Sequence, residues 1–168
     1  MKAMILAAGR GERMRPLTDN CPKPLLKVKG VALIEHHIKN LVAAGIKDIV
    51  INHAWLGQQL VDYLGCGKQL SANISYSEET LALETAGGII KALPLLAEQD
   101  DEIFLVINGD IYCDFNFTHL PILSSKYSAH LILVTNPEHN LNGDFQLESG
   151  VLVNPKGNKQ NTYTFSGI

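Results

Sequence analysis

The sequence predicts a three-layer, Rossmann-like α/β fold: a mostly parallel sheet with helices on both faces. Three observations carry that expectation. Short, continuous apolar runs recur along the chain, as strands buried on both faces do. Segments with apolar residues at helical spacing separate them. Two loops rich in glycine and charge stand where apolar runs end, the place where such sheets bind ligands.

Lys2 to Ala8 reads as a buried strand ended by glycine, and residues 9–24 as a loop. Ala32 to Ala44 reads as a helix, with Leu33, Ile34, Ile38, Leu41 and Val42 at helical spacing and Gly45 just past its end. Asp48 to Asn52 is a second strand, Gly57 to Leu64 a short helix, and Ile74 to Ser77 a weak third strand. Thr85 is expected to cap a helix running to about Leu93, with Pro94 as its stop. Ile103 to Ile107 is the clearest strand, followed by Asn108-Gly109-Asp110. Ala129 to Val134 is another strand. From Asp144 onward the pattern is short, β-like and turn-broken, with Asn154 to Asn161 read as a long hairpin loop.

A chain of 168 residues suits one domain and can bury a core without disulfide or metal staples. With 46% apolar and 18% charged residues, disorder is not expected. The net charge of −3 gives no basic field for nucleic acid or a membrane surface. Three widely spaced cysteines, Cys21, Cys66 and Cys113, form no disulfide framework or zinc ribbon and fit reduced thiols in a cytosol. No apolar run approaches the roughly 20 residues needed to cross a bilayer. A cytoplasmic protein follows as the expectation.

The first loop reads Gly9-Arg-Gly11-Glu-Arg13-Met-Arg15-Pro-Leu-Thr18, followed by Pro22-Lys23-Pro24. Glycines let backbone N–H groups approach phosphate oxygens. Met14 stands where a dinucleotide fingerprint would want a third glycine, and the Gly-Lys-Ser/Thr of a Walker loop is absent. Glycine spacing alone therefore fits a plain tight turn equally well. Arg10, Arg13, Arg15 and Lys23 strengthen the case, because cations beside a glycine cradle suit a triphosphate. The competing reading is a solvated basic loop.

Asp110 lies at the carboxyl end of a strand, placed for Mg²⁺, which takes one or two carboxylates plus phosphate oxygens and water. A simple Asn-Gly-Asp turn is the alternative. Glu84-Thr85-Ala-Gly-Gly88 opens a helix with small residues, either for close approach of a base or phosphate or for packing alone. The six histidines show no metal-binding spacing.

Together these motifs resemble the sugar-1-phosphate nucleotidyltransferase family, whose opening signature is a strand, a Gly-x-Gly-x-Arg-Met/Leu-x-Pro-Leu-Thr loop and a Pro-Lys-Pro. The family's Gly-Asp after a strand is matched by Gly109-Asp110. Asn52 to Gln59, Leu83 to Gly88 and Tyr163 to Ile168 look most similar to the N-acetylmuramate-1-phosphate uridylyltransferases of bacterial peptidoglycan recycling. The resemblance implies the nucleotide-diphospho-sugar transferase fold. It also implies transfer of a nucleotidyl group, UMP favoured, from a nucleoside triphosphate, UTP favoured, to a sugar-1-phosphate, with release of pyrophosphate and Mg²⁺ as cofactor.

It further implies site roles. Arg13 would hold the leaving phosphates, Lys23 would bridge the α-phosphate and the sugar phosphate, and Asp110 would hold the metal. Ala7, Gly9, Gly11 and Glu12 would shape the nucleotide loop. Glu79, Ala82 and Thr85 would lie against the base, and Asn108 and Gly143 near the sugar.

Two family features are missing. No Val-Asp-x-Gly-Thr supplies a second metal-binding Asp, and no Glu-Lys-Pro occurs around residues 146–160. The expectation is a single nucleotidyltransferase domain over residues 1–168 that is incomplete at its C-terminus. Mannose-1-phosphate guanylyltransferase, glucose-1-phosphate thymidylyltransferase and a non-catalytic nucleotide-binding module remain the alternatives.

Overall fold

Four apolar runs within residues 1–121 pair side by side in one parallel sheet in the computed structural model, which describes residues 1–81, 83–99, 102–155 and 161–168. The elements in chain order are β1 (Ala3–Leu6), β2 (Lys27–Val28), β3 (Val31–Ala32), α1 (Leu33–Ala43), β4 (Asp48–His53), α2 (Gly57–Leu64), β5 (Asn73–Glu78), α3 (Glu84–Leu96), β6 (Leu105–Asn108), β7 (Leu133–Val134), β8 (Phe145–Glu148), β9 (Val151–Val153) and β10 (Thr162–Phe165). Two compact units divide them, Met1–Pro121 and Ile122–Ile168.

In the first unit the sheet order is β5-β4-β1-β6, all parallel. The chain steps outward from β1 to β4 to β5, then returns to the other side of β1 for β6. The direction of winding therefore reverses between β1 and β6, and a crevice opens beyond their carboxyl ends. Leu6 of β1 is in register with Asn52 of β4 and Asn108 of β6, so three loops leave the sheet at one level.

Side chains alternate across the sheet. Met4 and Val50 face α3, where Ala92 and Leu96 complete a buried cluster. Ile5, Ile49 and Ile51 point the other way and are as fully buried, as are Ile34, Ile38 and Leu41 of α1 and Leu60 and Leu64 of α2. Helices on both faces of a parallel sheet match the expected fold class.

Local chemistry explains most boundaries. Gly57 and Gly65 bracket α2, which has the predicted limits. The first-predicted strand spans Ala3–Leu6, and it ends there because Ala7 leaves the ladder to donate its N–H to the Asn52 side chain. The helix expected to start at a Thr85 cap starts at Glu84 instead, and no side chain caps it locally. Its entry is fixed from a distance, since Leu83 N–H donates to the Glu79 carboxylate.

Pro94 does not stop this helix. It removes one N–H in the last turn, while Leu96 beyond it is buried against the sheet. Lys2 Nζ then donates to the Leu95 carbonyl at 3.0 Å, a cation at a helix C-terminus. The β2–β3 hairpin was not anticipated. Lys29 and Gly30 both take positive φ in its two-residue turn.

In the second unit the sheet order is β7-β10-β8-β9, antiparallel throughout. Of the strand predicted over 129–134, Leu133–Val134 forms the ladder with β10, and Ile132 adds backbone hydrogen bonds to Ser166 and Ile168. β9 and β10, which precede and follow residues 154–161, flank β8 rather than pair with each other. Residues 156–160 of that segment lie outside the described residues. Among the described residues, no helix is long and apolar enough to cross a membrane.

Candidate active site

A cavity of about 690 Å³ occupies the crevice beyond β1 and β6, within the size range of ligand sites. The backbone of residues 6–14 forms one wall. Gly11 takes φ +68°, and Thr18, 2% exposed, donates its hydroxyl to the Gly11 carbonyl at 2.8 Å. A Cβ on Gly11 would stand 3.0 Å from Thr18 Cγ2 and 3.3 Å from Lys23 Cβ, so glycine is required by both conformation and space.

The opposite edge is set by Gly109. Its N–H donates to the Leu6 carbonyl at 2.9 Å, and a Cβ there would lie 2.8 Å from that same oxygen. This close approach brings the turn after β6 against the loop after β1. Asp110 follows, and Lys23 Nζ donates to its Oδ2 at 2.7 Å. At the cavity the Lys23 side chain is 25% exposed and that of Asp110 48%.

The other cations of the loop are arranged differently. Glu12 lies 3.8 Å from Arg10 and 3.9 Å from Arg15, and Arg15 also pairs with Asp19 at 3.4 Å. The Arg10 guanidinium stacks over the Trp55 ring, 4.6 Å from its centroid. Arg13 is exposed, lines the cavity and forms no ion pair with a described residue.

Behind the cavity the turn carrying Asp110 is tied to α1. His37, 1% exposed, shares a hydrogen bond of 2.8 Å between Nε2 and the Ile111 carbonyl. That geometry requires the proton on Nε2. Burial holds the His37 imidazole below its usual range. The hydrogen bond to Ile111 opposes that shift, His36 adds to it, and Asp110 opposes it weakly. Nδ1 is buried without a partner among the described residues.

The structure brings Ala7, Gly9, Gly11, Glu12, Arg13, Lys23, Glu79, Thr85, Asn108 and Asp110 to one cavity. Ala82 lies outside the described residues. Gly143 belongs to the Ile122–Ile168 unit, in the turn before β8, where its N–H donates to the Asn140 carbonyl. A Cβ on it would stand 2.7 Å from Asn136 Oδ1 and 2.9 Å from Thr162 Cβ, so its glycine has a local packing reason.

Sequence reasoning missed Asn52 and His37. Asn52 carried a faint signal, as a polar residue near the end of an apolar strand. His37 sits in phase with Ile34, Ile38 and Leu41, which marks a core position.

Comparison with known proteins follows the same lines. Residues 2–145 match the family model described as nucleotidyl transferase. The chain is 56% identical over 173 aligned positions to the N-acetylmuramate alpha-1-phosphate uridylyltransferase of Neisseria meningitidis serogroup B, spanning 100% of this chain and 74% of that protein. It is 40% identical over 140 positions to the mannose-1-phosphate guanylyltransferase catalytic subunit beta of Dictyostelium discoideum, spanning 82% of this chain but 38% of that one. A Bacillus anthracis protein described as a glucose-1-phosphate thymidylyltransferase, solved with sucrose, superposes with a TM-score of 0.82 at 22% identity, over 99% of this chain and 69% of that chain. This last likeness concerns the fold alone.

Proposed function

The chain belongs to the nucleotidyl transferase family, and on that premise we propose that the protein transfers UMP from UTP to N-acetylmuramate-1-phosphate, releasing pyrophosphate. The 56% identity to the meningococcal uridylyltransferase supports this base and sugar over the guanylyl and mannosyl pair of the more distant relatives.

The observation that carries the reading is the Lys23–Asp110 pair beside the glycine loop. A phosphate oxygen of the sugar phosphate attacks the α-phosphorus of the triphosphate. The bond from that phosphorus to the α,β-bridging oxygen breaks, and pyrophosphate leaves with its electron pair. No protein nucleophile is needed, so positioning and charge neutralisation carry the rate. Lys23 holds the α-phosphate and the incoming phosphate together against their mutual repulsion. Arg13 takes the leaving β- and γ-phosphates. The backbone amides of residues 8–11, with Gly9 and Gly11, receive phosphate oxygens, and Glu12 fixes Arg10 and Arg15 beside them. Glu79 and Thr85 form the base side of the site. Asn108 serves the sugar.

Mg²⁺ fits this donor set. Asp110 offers a half-exposed carboxylate at the phosphate end of the cavity, and Mg²⁺ is commonly held by one or two carboxylates with substrate phosphates. No cluster of three or more His, Cys, Asp or Glu among the described residues could hold it without substrate. Once bound, the ion neutralises phosphate charge and orients the triphosphate.

The test is a pyrophosphate-release assay on the full-length protein carrying this sequence, with Mg²⁺ and each pairing of UTP, GTP and dTTP with N-acetylmuramate-, mannose- and glucose-1-phosphate. Release is expected fastest with UTP and N-acetylmuramate-1-phosphate. Release with no pair, alongside nucleotide binding, would instead identify a non-catalytic nucleotide-binding protein.

A further inference from the structure

Glu79 stands at the cavity wall, yet both of its carboxylate oxygens are already engaged by the protein. Oε1 accepts from Asn52 Nδ2 at 2.7 Å, and Oε2 accepts from Leu83 N–H at 2.9 Å. Asn52 Oδ1 in turn accepts from Ala7 N–H at 2.8 Å. Glu79 and Asn52 are 3% and 2% exposed. Gly88 of α3 lies directly over their bond: a Cβ there would stand 2.7 Å from Oε1 and 2.8 Å from Nδ2.

We propose that Asn52 and Glu79 are positioning residues. They form an amide–carboxylate bridge that holds the glycine loop, through Ala7, and the base-side loop, through Leu83, at a fixed spacing around the nucleotide. The proposal rests on the nucleotidyl-transfer reading of this cavity. A buried carboxylate is a costly way to fill space, and an apolar pair would fill it with less penalty. What the bridge supplies is two directional bonds to backbone amides of two different cavity loops. The residue after Leu83, Glu84, takes a left-handed φ of +58° and also lines the cavity. A non-glycine residue holds such a conformation where its surroundings impose it, and the tethered Leu83 amide does so here.

The bridge has a polarity that can be reversed. In Asn52→Asp alone, two carboxylates face each other. In Glu79→Gln alone, one donor meets another whichever way the two amides turn. In the double variant N52D/E79Q, the carboxylate placed at position 52 accepts from Ala7 N–H and from the amide placed at position 79. The oxygen of that amide accepts from Leu83 N–H. Every hydrogen bond is regained with the charge moved across the pair.

The experiment compares the full-length protein, both single variants and the double variant by steady-state kinetics and amide exchange. Each single variant is expected to raise KM for UTP roughly tenfold or more, with a smaller change in kcat and in KM for the sugar phosphate. The double variant is expected to return KM for UTP to within about threefold of the parent. Exchange at the Ala7 and Leu83 amides should quicken in the singles and slow again in the double. If either single fails to fold, recovery of the double still reports the bridge. Singles that match the parent, or a double no better than the worse single, would overturn the proposal. A parent protein that binds no nucleotide strikes the nucleotidyl-transfer reading instead, and the amide exchange then decides the bridge by itself.

Discussion

Lys23 Nζ and Asp110 Oδ2 lie 2.7 Å apart although 87 residues separate them in the chain. Two backbone devices make the meeting possible. Pro22 and Pro24 flank the lysine in a single helical turn, and Gly109 lets the β6 turn close on the Leu6 carbonyl. Both side chains keep contact with solvent, and a pair of this kind contributes about 0–1 kcal/mol. In the proposed reaction it is therefore weak enough to exchange its partners for a phosphate and a cation. The ion pair pre-positions the two groups without locking them.

Asp110→Asn removes the carboxylate proposed to hold the metal and leaves Lys23 unpaired. The rate at low Mg²⁺ should fall steeply. A titration of rate against Mg²⁺ should shift to higher concentration, while stability moves little, as expected for a pair this exposed. An unshifted titration would count against the assignment.

Trp55 is the single tryptophan of the chain, and Arg10 of the glycine loop stacks on it. Binding of a triphosphate should draw the Arg10 guanidinium toward phosphate and change the indole emission. A fluorescence titration with UTP should saturate, and Arg10→Ala should lose most of the change in signal.

His37 links stability to pH. Burial lowers its folded pKa below the unfolded value of about 6.5, so the unfolded chain takes up the proton more readily. The stabilisation is present above that unfolded value. It is lost as pH falls from there toward the folded pKa. His36 and Asp110 face the same ring with opposite effects and modulate the shift. Thermal unfolding between pH 7.5 and 5 should show a falling Tm in the parent. His37→Gln, which keeps a donor for the Ile111 carbonyl, should flatten that dependence.

Gly109→Ala tests the close approach at the switch point. The added methyl would sit 2.8 Å from the Leu6 carbonyl oxygen and 3.0 Å from Ile5 Cγ2, both within the sheet. A loss of about 1–3 kcal/mol is expected by denaturant unfolding, together with lower activity as Asp110 is displaced.

The glycine loop, Lys23 and Asp110 were legible because each is marked by its immediate neighbours: glycines, flanking prolines, or the end of an apolar strand. The limits of α2 were legible for the same reason, with glycine at either end. Glu84 as the start of α3 was not, because the group that fixes its entry is Glu79, acting through Leu83 rather than through a local cap. Asn52 needed the β1–β4 register before its side chain could be seen to reach Ala7. The β2–β3 hairpin is only two residues per strand, too short for period-2 alternation to register. Pro94 was overread as a stop, since burial of Leu96 outweighs one missing hydrogen bond in a last turn.

The most direct test of the central claim is the single-turnover rate of Lys23→Ala in the full-length protein, with UTP, N-acetylmuramate-1-phosphate and Mg²⁺ all saturating. The account predicts a fall of about 10²–10³, as for loss of one transition-state electrostatic contact, with nucleotide affinity much less affected. A rate equal to that of the parent would contradict it.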